Sequence, residues 1–243
     1  MKKYLIGNMK MNQSYAILEK YFDEIKEIAN ASDNYVGVCV PSVYLNLAKN
    51  KLDGTNVHYG VENVYHENNG AYTGEISTDM LKDFNTELVI VGHSERRQLF
   101  GETDKEVNKK VKKVLLAGMT PILCYGESLE ERKKGLTEEV VLYQLDAALS
   151  GLDKDSVSKI IFAYEPIWAI GTGVSATDDE AEEICKLSKD IVREKFGCEV
   201  VVLYGGSMKP ANAKGLLSKP SIDGGLIGGA CLKTEDFKGI INN

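Results

Sequence analysis

The sequence predicts an α/β fold: eight parallel strands closed into a (β/α)8 barrel with an outer ring of helices, taking residues 1–243 as one domain. Three observations carry this expectation. Short apolar runs alternate with helical stretches eight times along the chain. The runs are continuously apolar, as parallel strands buried on both faces require. The 243 residues show no linker, composition break or low-complexity tract, and one barrel domain commonly has this length. An open doubly wound sheet would normally carry GxGxxG after its first strand, and that pattern is absent here.

Tyr4–Asn8 reads as the first strand, turned outward by Gly7-Asn8-Met9-Lys10. In the helix that follows, Ile17, Leu18, Tyr21, Phe22, Ile25 and Ile28 form one stripe at helical spacing. Val36–Val40 is the second strand, stopped by Pro41, with a short helix near Tyr44–Leu47. Val57–Val61 is the third; a long polar connection from Glu62 to Ile76 separates it from a helix over Thr78–Phe84. The fourth strand, Leu88–Val91, leads into Gly92-His93-Ser94-Glu95-Arg96-Arg97. Thr103-Asp104-Lys105-Glu106 is a capping box that opens a helix with Val107, Val111, Val114 and Leu115 inward, closed at Gly118. Thr120–Tyr125 is the fifth strand, followed by a helix over Thr137–Leu149. Ile160–Tyr164 is the sixth, with its helix over Asp178–Phe196, closed by Gly197. Val200–Tyr204 is the seventh, with Pro210 in the first turn of a helix that reaches Leu217. Gly225–Ile227 is the eighth, before a last helix over Glu235–Ile241.

Composition narrows the function classes. A net charge of −7 with acidic and basic residues interspersed lacks the basic footprint of a nucleic-acid binder. Cys39, Cys124, Cys185, Cys198 and Cys231 are odd in number and lack CxxC spacing, which points to free thiols in a reducing compartment. His58, His66 and His93 form no metal-ligand cluster, so no metal is expected. No stretch approaches a membrane span, and the N-terminus has no cleavage pattern. The expectation is a cytoplasmic protein without membrane contact.

In a parallel barrel all strands end on one face, and the unusual polar residues fall at those ends. Asn8 and Lys10 follow the first strand, His93 the fourth, Glu165 the sixth, Ser207 the seventh, and Gly228-Gly229 the eighth. Glu165 precedes Pro166 and an apolar loop, Ile167-Trp168-Ala169-Ile170, with Gly171 and Gly173 beyond it. That is the layout of a general base beside a closing lid, although such a loop can also simply cover a core. Gly205-Gly206-Ser207 and Gly228-Gly229 can present backbone N–H groups with helix N-termini behind them, a phosphate-binding arrangement. Plainer readings stand beside these: Lys10 as a solvated lysine, Asn8 as a turn former, His93 as a structural histidine. Glu95, Arg96 and Arg97 read as a charged helix start on a solvated face, or Glu95 pairs with Lys10. Cys124 reads as a small buried hydrophobe.

On these residues the chain resembles the triosephosphate isomerase family nearly end to end. The resemblance is carried by GNMKMN at 7–12, GAYTGEIS at 70–77, VGHSERR at 91–97, AYEPIWAIGTG at 163–173, YGGS at 204–207 and LIGGACL at 226–232. It implies a TIM barrel that interconverts dihydroxyacetone phosphate and D-glyceraldehyde 3-phosphate, in glycolysis and gluconeogenesis, without metal or cofactor. Carried over, Glu165 is the base, His93 the neutral electrophile, and Lys10 and Asn8 stabilise the enediolate. Gly171, Ser207, Gly228 and Gly229 hold the phosphate. The resemblance also implies a homodimer, with Thr73 of the Glu62–Ile76 loop entering the partner's site. The chain departs from the family pattern at Met9, where Trp is usual, at Glu62 (Gln) near the lysine, at Thr78 (Pro), at Val174-Ser175 (Lys-Thr), and at Cys231 (Ser). Two other readings use the same residues: a Schiff-base aldolase with Lys10 as nucleophile, and a catalytically silent phosphate-binding barrel.

Overall fold

Eight parallel strands close on themselves in the computed structural model, which describes residues 2–169 and 176–243. β1 (Tyr4–Asn8) leads to α1 (Tyr15–Asn30), β2 (Tyr35–Val40), α2 (Leu45–Leu52) and β3 (Val57–Val61). α3 (Thr78–Lys82), β4 (Leu88–Val91), α4 (Ser94–Phe100), α5 (Asp104–Leu116) and β5 (Thr120–Tyr125) follow. Next come α6 (Leu129–Lys133), α7 (Thr137–Leu149), α8 (Lys154–Val157), β6 (Ile161–Tyr164) and α9 (Asp178–Phe196). β7 (Val201–Tyr204), α10 (Pro210–Leu217), β8 (Gly224–Ile227) and α11 (Thr234–Ile241) complete the order. β8 pairs with β7 on one side and with β1 on the other, Tyr4 opposite Gly224, which shuts the barrel.

Side-chain alternation along each strand divides the core in two. Ile6, Cys39, Leu88, Ile90, Ile122, Cys124, Ile161, Ala163 and Leu203 point inward and fill the barrel. Their neighbours Leu5, Val38, Val40, Val89, Val91, Leu123, Phe162 and Val202 point outward, under the helices. Both faces are thus apolar, which is why the strands read as continuous runs. Gly60 permits one tight strand contact: a Cβ there would lie 2.0 Å from the Leu88 carbonyl oxygen.

The helices close over the outer layer with local signals in agreement. Capping boxes at Thr103, Ser128 and Thr177 start α5, α6 and α9, each hydroxyl accepting the N–H three residues on. Gly197 ends α9 in the left-handed region, φ 64°. On α1, Leu18, Tyr21, Phe22, Ile25 and Ala29 are buried; truncating Phe22 to Ala would cost about 3–5 kcal/mol. Ile17, expected on that stripe, is exposed, because it lies one position to the side of the 18–22–25–29 line. α6 and α8, each of a single turn, were not expected, and α2 runs further than expected, to Leu52.

Candidate active site

The C-terminal ends of the strands share one face, where Asn8, Lys10, His93, Ser94 and Glu165 line a cavity of about 640 Å³ together with Gly205, Gly206, Ser207, Gly228 and Gly229. Residues separated by most of the chain therefore meet because each leaves its strand at the same rim. Gly171, the remaining expected phosphate contact, lies outside the described residues, as do Val174-Ser175 and most of the expected lid. Of the lid's described part, Ile167 lines the cavity and Ala169 is buried.

Glu165 is 1% exposed, and both its oxygens are engaged. Oε2 accepts the Ser94 N–H at 2.8 Å, and Oε1 accepts the Ser94 hydroxyl at 3.2 Å. His93 Nε2 lies 3.0 Å from Oε1. Burial alone would raise this carboxyl's pKa. The charge and hydrogen bond of His93, the Ser94 N–H and the charge of Lys10 outweigh burial and hold it below the ordinary value.

His93 caps the N-terminus of α4, its Nδ1 accepting the Glu95 N–H at 3.2 Å. An acceptor at Nδ1 leaves the ring proton on Nε2, the nitrogen that faces Glu165 and the cavity. Burial disfavours the imidazolium, but the Glu165 carboxylate more than offsets burial and raises the ring's pKa. That upward pull exists only while Glu165 rests against Nε2.

Lys10 is one of the few non-glycine residues in the left-handed region, φ 54°, and its N–H is accepted by Asn8 Oδ1 at 3.1 Å. Asn8 is thus both a turn former and a cavity residue. Lys10 Nζ reaches Glu95 Oε1 at 2.6 Å, so the paired reading of Glu95 holds over the solvated one. Gly205 makes room for the acid: a Cβ there would lie 2.9 Å from Glu165 Cγ. A Cβ on Gly206 would overlap the Tyr204 hydroxyl at 2.2 Å. Behind these loops stand the first turn of α10 and the 3-10 turn Gly229–Leu232.

Three contributors were missed in the sequence. Ser94 holds Glu165 with two groups; its place as the first residue of a helix opened by His93 was the available signal. Glu127 is fully buried and accepts from the Tyr164 hydroxyl and, at 2.8 Å, from Trp168 Nε1, so it ties the rim beyond Glu165 to β6. Arg97 is not on a solvated face: it donates to the Gly92 carbonyl at 2.7 Å and pairs with Asp104 at 2.6 Å, bracing the turn that carries His93. Cys124 is buried as expected, its thiol pushed well up by burial.

Beside the main cavity, a second cleft of about 430 Å³ is lined by Asn8, Lys10, Glu62, Gly74 and Glu95 and rimmed by exposed Met11, Val43 and Phe100. The loop between β3 and α3 is held against α5: Lys110 donates to Asn63 at 2.8 Å, Lys113 to Asn68, and Lys109 meets His66 at 3.4 Å. Among the described residues no cluster of His, Cys, Asp and Glu could hold a metal ion, and no helix is long and apolar enough to cross a membrane.

Comparison with known proteins agrees with this geometry. The family model for triosephosphate isomerase matches residues 3–243. Triosephosphate isomerases of Lactobacillus delbrueckii subsp. bulgaricus and Lactobacillus acidophilus are each 45% identical over 243 residues, covering 98% of this chain and 96% of their own. That of Clostridium novyi is 45% identical over 245 residues, covering 99% of this chain and 98% of its own. With a closed eight-stranded parallel barrel, a carboxylate and an imidazole at its rim and a match over nearly every residue, the chain belongs to the triosephosphate isomerase family.

Proposed function

We propose that this barrel interconverts dihydroxyacetone phosphate and D-glyceraldehyde 3-phosphate, with Glu165 moving one proton between the two substrate carbons. The observation that carries the reading is the buried contact of Glu165 with His93, 3.0 Å, at the mouth of a cavity that Lys10 and two glycine-rich loops also line. Once it leaves Ser94 for the substrate, the Glu165 carboxylate takes a proton from the carbon beside the carbonyl. The electron pair of that C–H bond passes into the carbonyl and leaves an enediolate oxygen. His93 donates its Nε2–H to that oxygen, and the Lys10 ammonium offsets its charge. The proton of the neighbouring hydroxyl passes to that oxygen through His93 Nε2, the electron pair left on the second oxygen closes the new carbonyl, and the protonated Glu165 returns its proton to the carbon that carried the first carbonyl. With Glu165 moved off Nε2, burial is the chief remaining influence on His93 and favours the neutral ring, the form that can donate without first losing a proton.

The roles of Asn8, Ser207, Gly228 and Gly229 in holding enediolate and phosphate are part of the same proposal, supported by their place in the cavity wall. Gly171 is included on resemblance alone. A homodimer completes the reading: the second cleft, with its exposed apolar rim, suits a partner's loop around Thr73. We also take residues 1–243 to work as one barrel domain, because β1 and β8 pair, and place it in the cytoplasm, where free thiols persist.

The test is a coupled assay on purified protein supplied with dihydroxyacetone phosphate. Steady formation of D-glyceraldehyde 3-phosphate is expected. No turnover would favour the silent binder, and a borohydride-trapped adduct on Lys10 would favour the aldolase. The ion pair of Lys10 with Glu95 supports a fixed cation over a free amine nucleophile.

A further inference from the structure

Glu62 follows β3 directly and lines the second cleft beside Lys10. Its Oε1 is shielded from solvent and has no hydrogen-bond partner among the described residues, an arrangement that costs free energy for a carboxylate far more than for a neutral acid. The charged and titratable groups that act on it come from four neighbouring segments. They are the Lys10 backbone N–H and ammonium after β1, Glu95 on α4, the Cys39 thiol on β2, and the Cys231 thiol in the turn after β8; His93, Arg96 of α4 and Glu75 of the β3–α3 loop line the same cleft. Lys10 already holds a strained left-handed backbone and is ion-paired with Glu95. One ammonium therefore stands among two carboxyl groups, at the place where an anionic substrate must arrive.

We propose that Glu62 is a positioning residue for Lys10 that works in its protonated form. The inference rests on the isomerase reading and deepens it. As a neutral acid, Glu62 leaves the Lys10–Glu95 pair intact and adds no negative charge beside the site. As an anion it competes with Glu95 and with substrate for the same ammonium and repels the incoming phosphate dianion. Burial is the main reason its carboxyl is pushed up to about 8. The nearby Lys10 N–H works against that rise, the Glu95 charge adds to it, and the Lys10 charge opposes it. The change of state thus falls in the range where an enzyme can be assayed. A partner's loop filling the cleft would remove more water from Glu62 and move its titration toward the alkaline end of the assay range.

The experiment measures KM for dihydroxyacetone phosphate and the calorimetric Kd for sulfate, a dianion throughout, from pH 6.5 to 9.5 in the wild type and in Glu62→Gln. In the wild type both constants should rise about tenfold through the transition while kcat moves little, the size expected for one added charge at short range. In Glu62→Gln both should stay flat. Equal slopes in the two proteins, or a change confined to kcat, would overturn the proposal. The wild type supplies a second readout: saturating sulfate should raise the titration midpoint of the Glu62 side-chain carboxyl carbon, followed by carbon-13 NMR, as linkage requires. A midpoint that sulfate does not move would also overturn it. Absence of turnover in the wild type at neutral pH would defeat the isomerase reading instead, and the sulfate data would still decide the role of Glu62.

Discussion

Ser94 holds Glu165 by two groups at once, its N–H at 2.8 Å and its hydroxyl at 3.2 Å, across 71 residues of chain. The carboxylate is thereby parked at the first turn of α4, beside His93, with both oxygens occupied. Acting as the proposed base, Glu165 must exchange Ser94 for substrate, so Ser94 sets its resting place and adds to the hold that His93 has on its acidity.

Ser94→Ala keeps the N–H and deletes the hydroxyl. The Glu165 carboxylate loses one stabilising contact, so its pKa rises toward the value burial favours. The acid limb of kcat/KM should move to higher pH. The loss at the optimum should be about fivefold or less, because the long hydroxyl contact deleted is one the carboxylate gives up in any case to reach substrate. A pH–rate profile of the variant checks this; an acid limb moving to lower pH would contradict it.

Lys110 pairs with Glu102 in a buried site, their side chains only 6% and 3% exposed. Lys110→Met would leave the buried Glu102 charge with only the more distant Arg96, 3.7 Å away, and cost about 3 kcal/mol. In a chain of this size the melting temperature should fall by roughly 10 °C. Adding Glu102→Leu should recover much of the loss, because the buried carboxylate goes too and Arg96, which it also paired, is partly exposed to water. Calorimetric melting of the single and double variants decides it.

That pair also shows where the sequence stops being legible. The strands could be read almost to the residue, because burial on both faces leaves a local pattern of apolar runs. The cap at Thr103 was legible for the same reason: its partner lies three residues away. Lys110 sits in a lysine-rich helix and reads as solvated. Its burial depends on Glu102 and on Asn63, which only the closed barrel brings close. Arg97 was misread in the same way, its contacts with Gly92 and Cys124 being tertiary. The site was legible in outline, because strand order alone places Asn8, Lys10, His93 and Glu165 on one rim. Ser94 and Glu127 were not, since a serine opening a helix and a glutamate before a capping box have ordinary local explanations.

Thr73→Arg places a long cation at the tip of the loop proposed to enter the partner's cleft. It should shift the protein from dimer to monomer in sedimentation velocity and lower activity in parallel at micromolar concentration. A monomeric variant with undiminished turnover would show that the partner adds nothing to the site.

The most direct test of the account is Glu165→Gln. The amide keeps the shape of the side chain and removes the base. In the purified variant, interconversion of the two triose phosphates and exchange of the carbon-bound substrate proton with solvent deuterium should both fall by about a thousandfold or more, while the Kd for a phosphorylated competitive inhibitor stays within about threefold of the wild type. Turnover and exchange at near wild-type rates would contradict the assignment of Glu165 as the group that moves the proton.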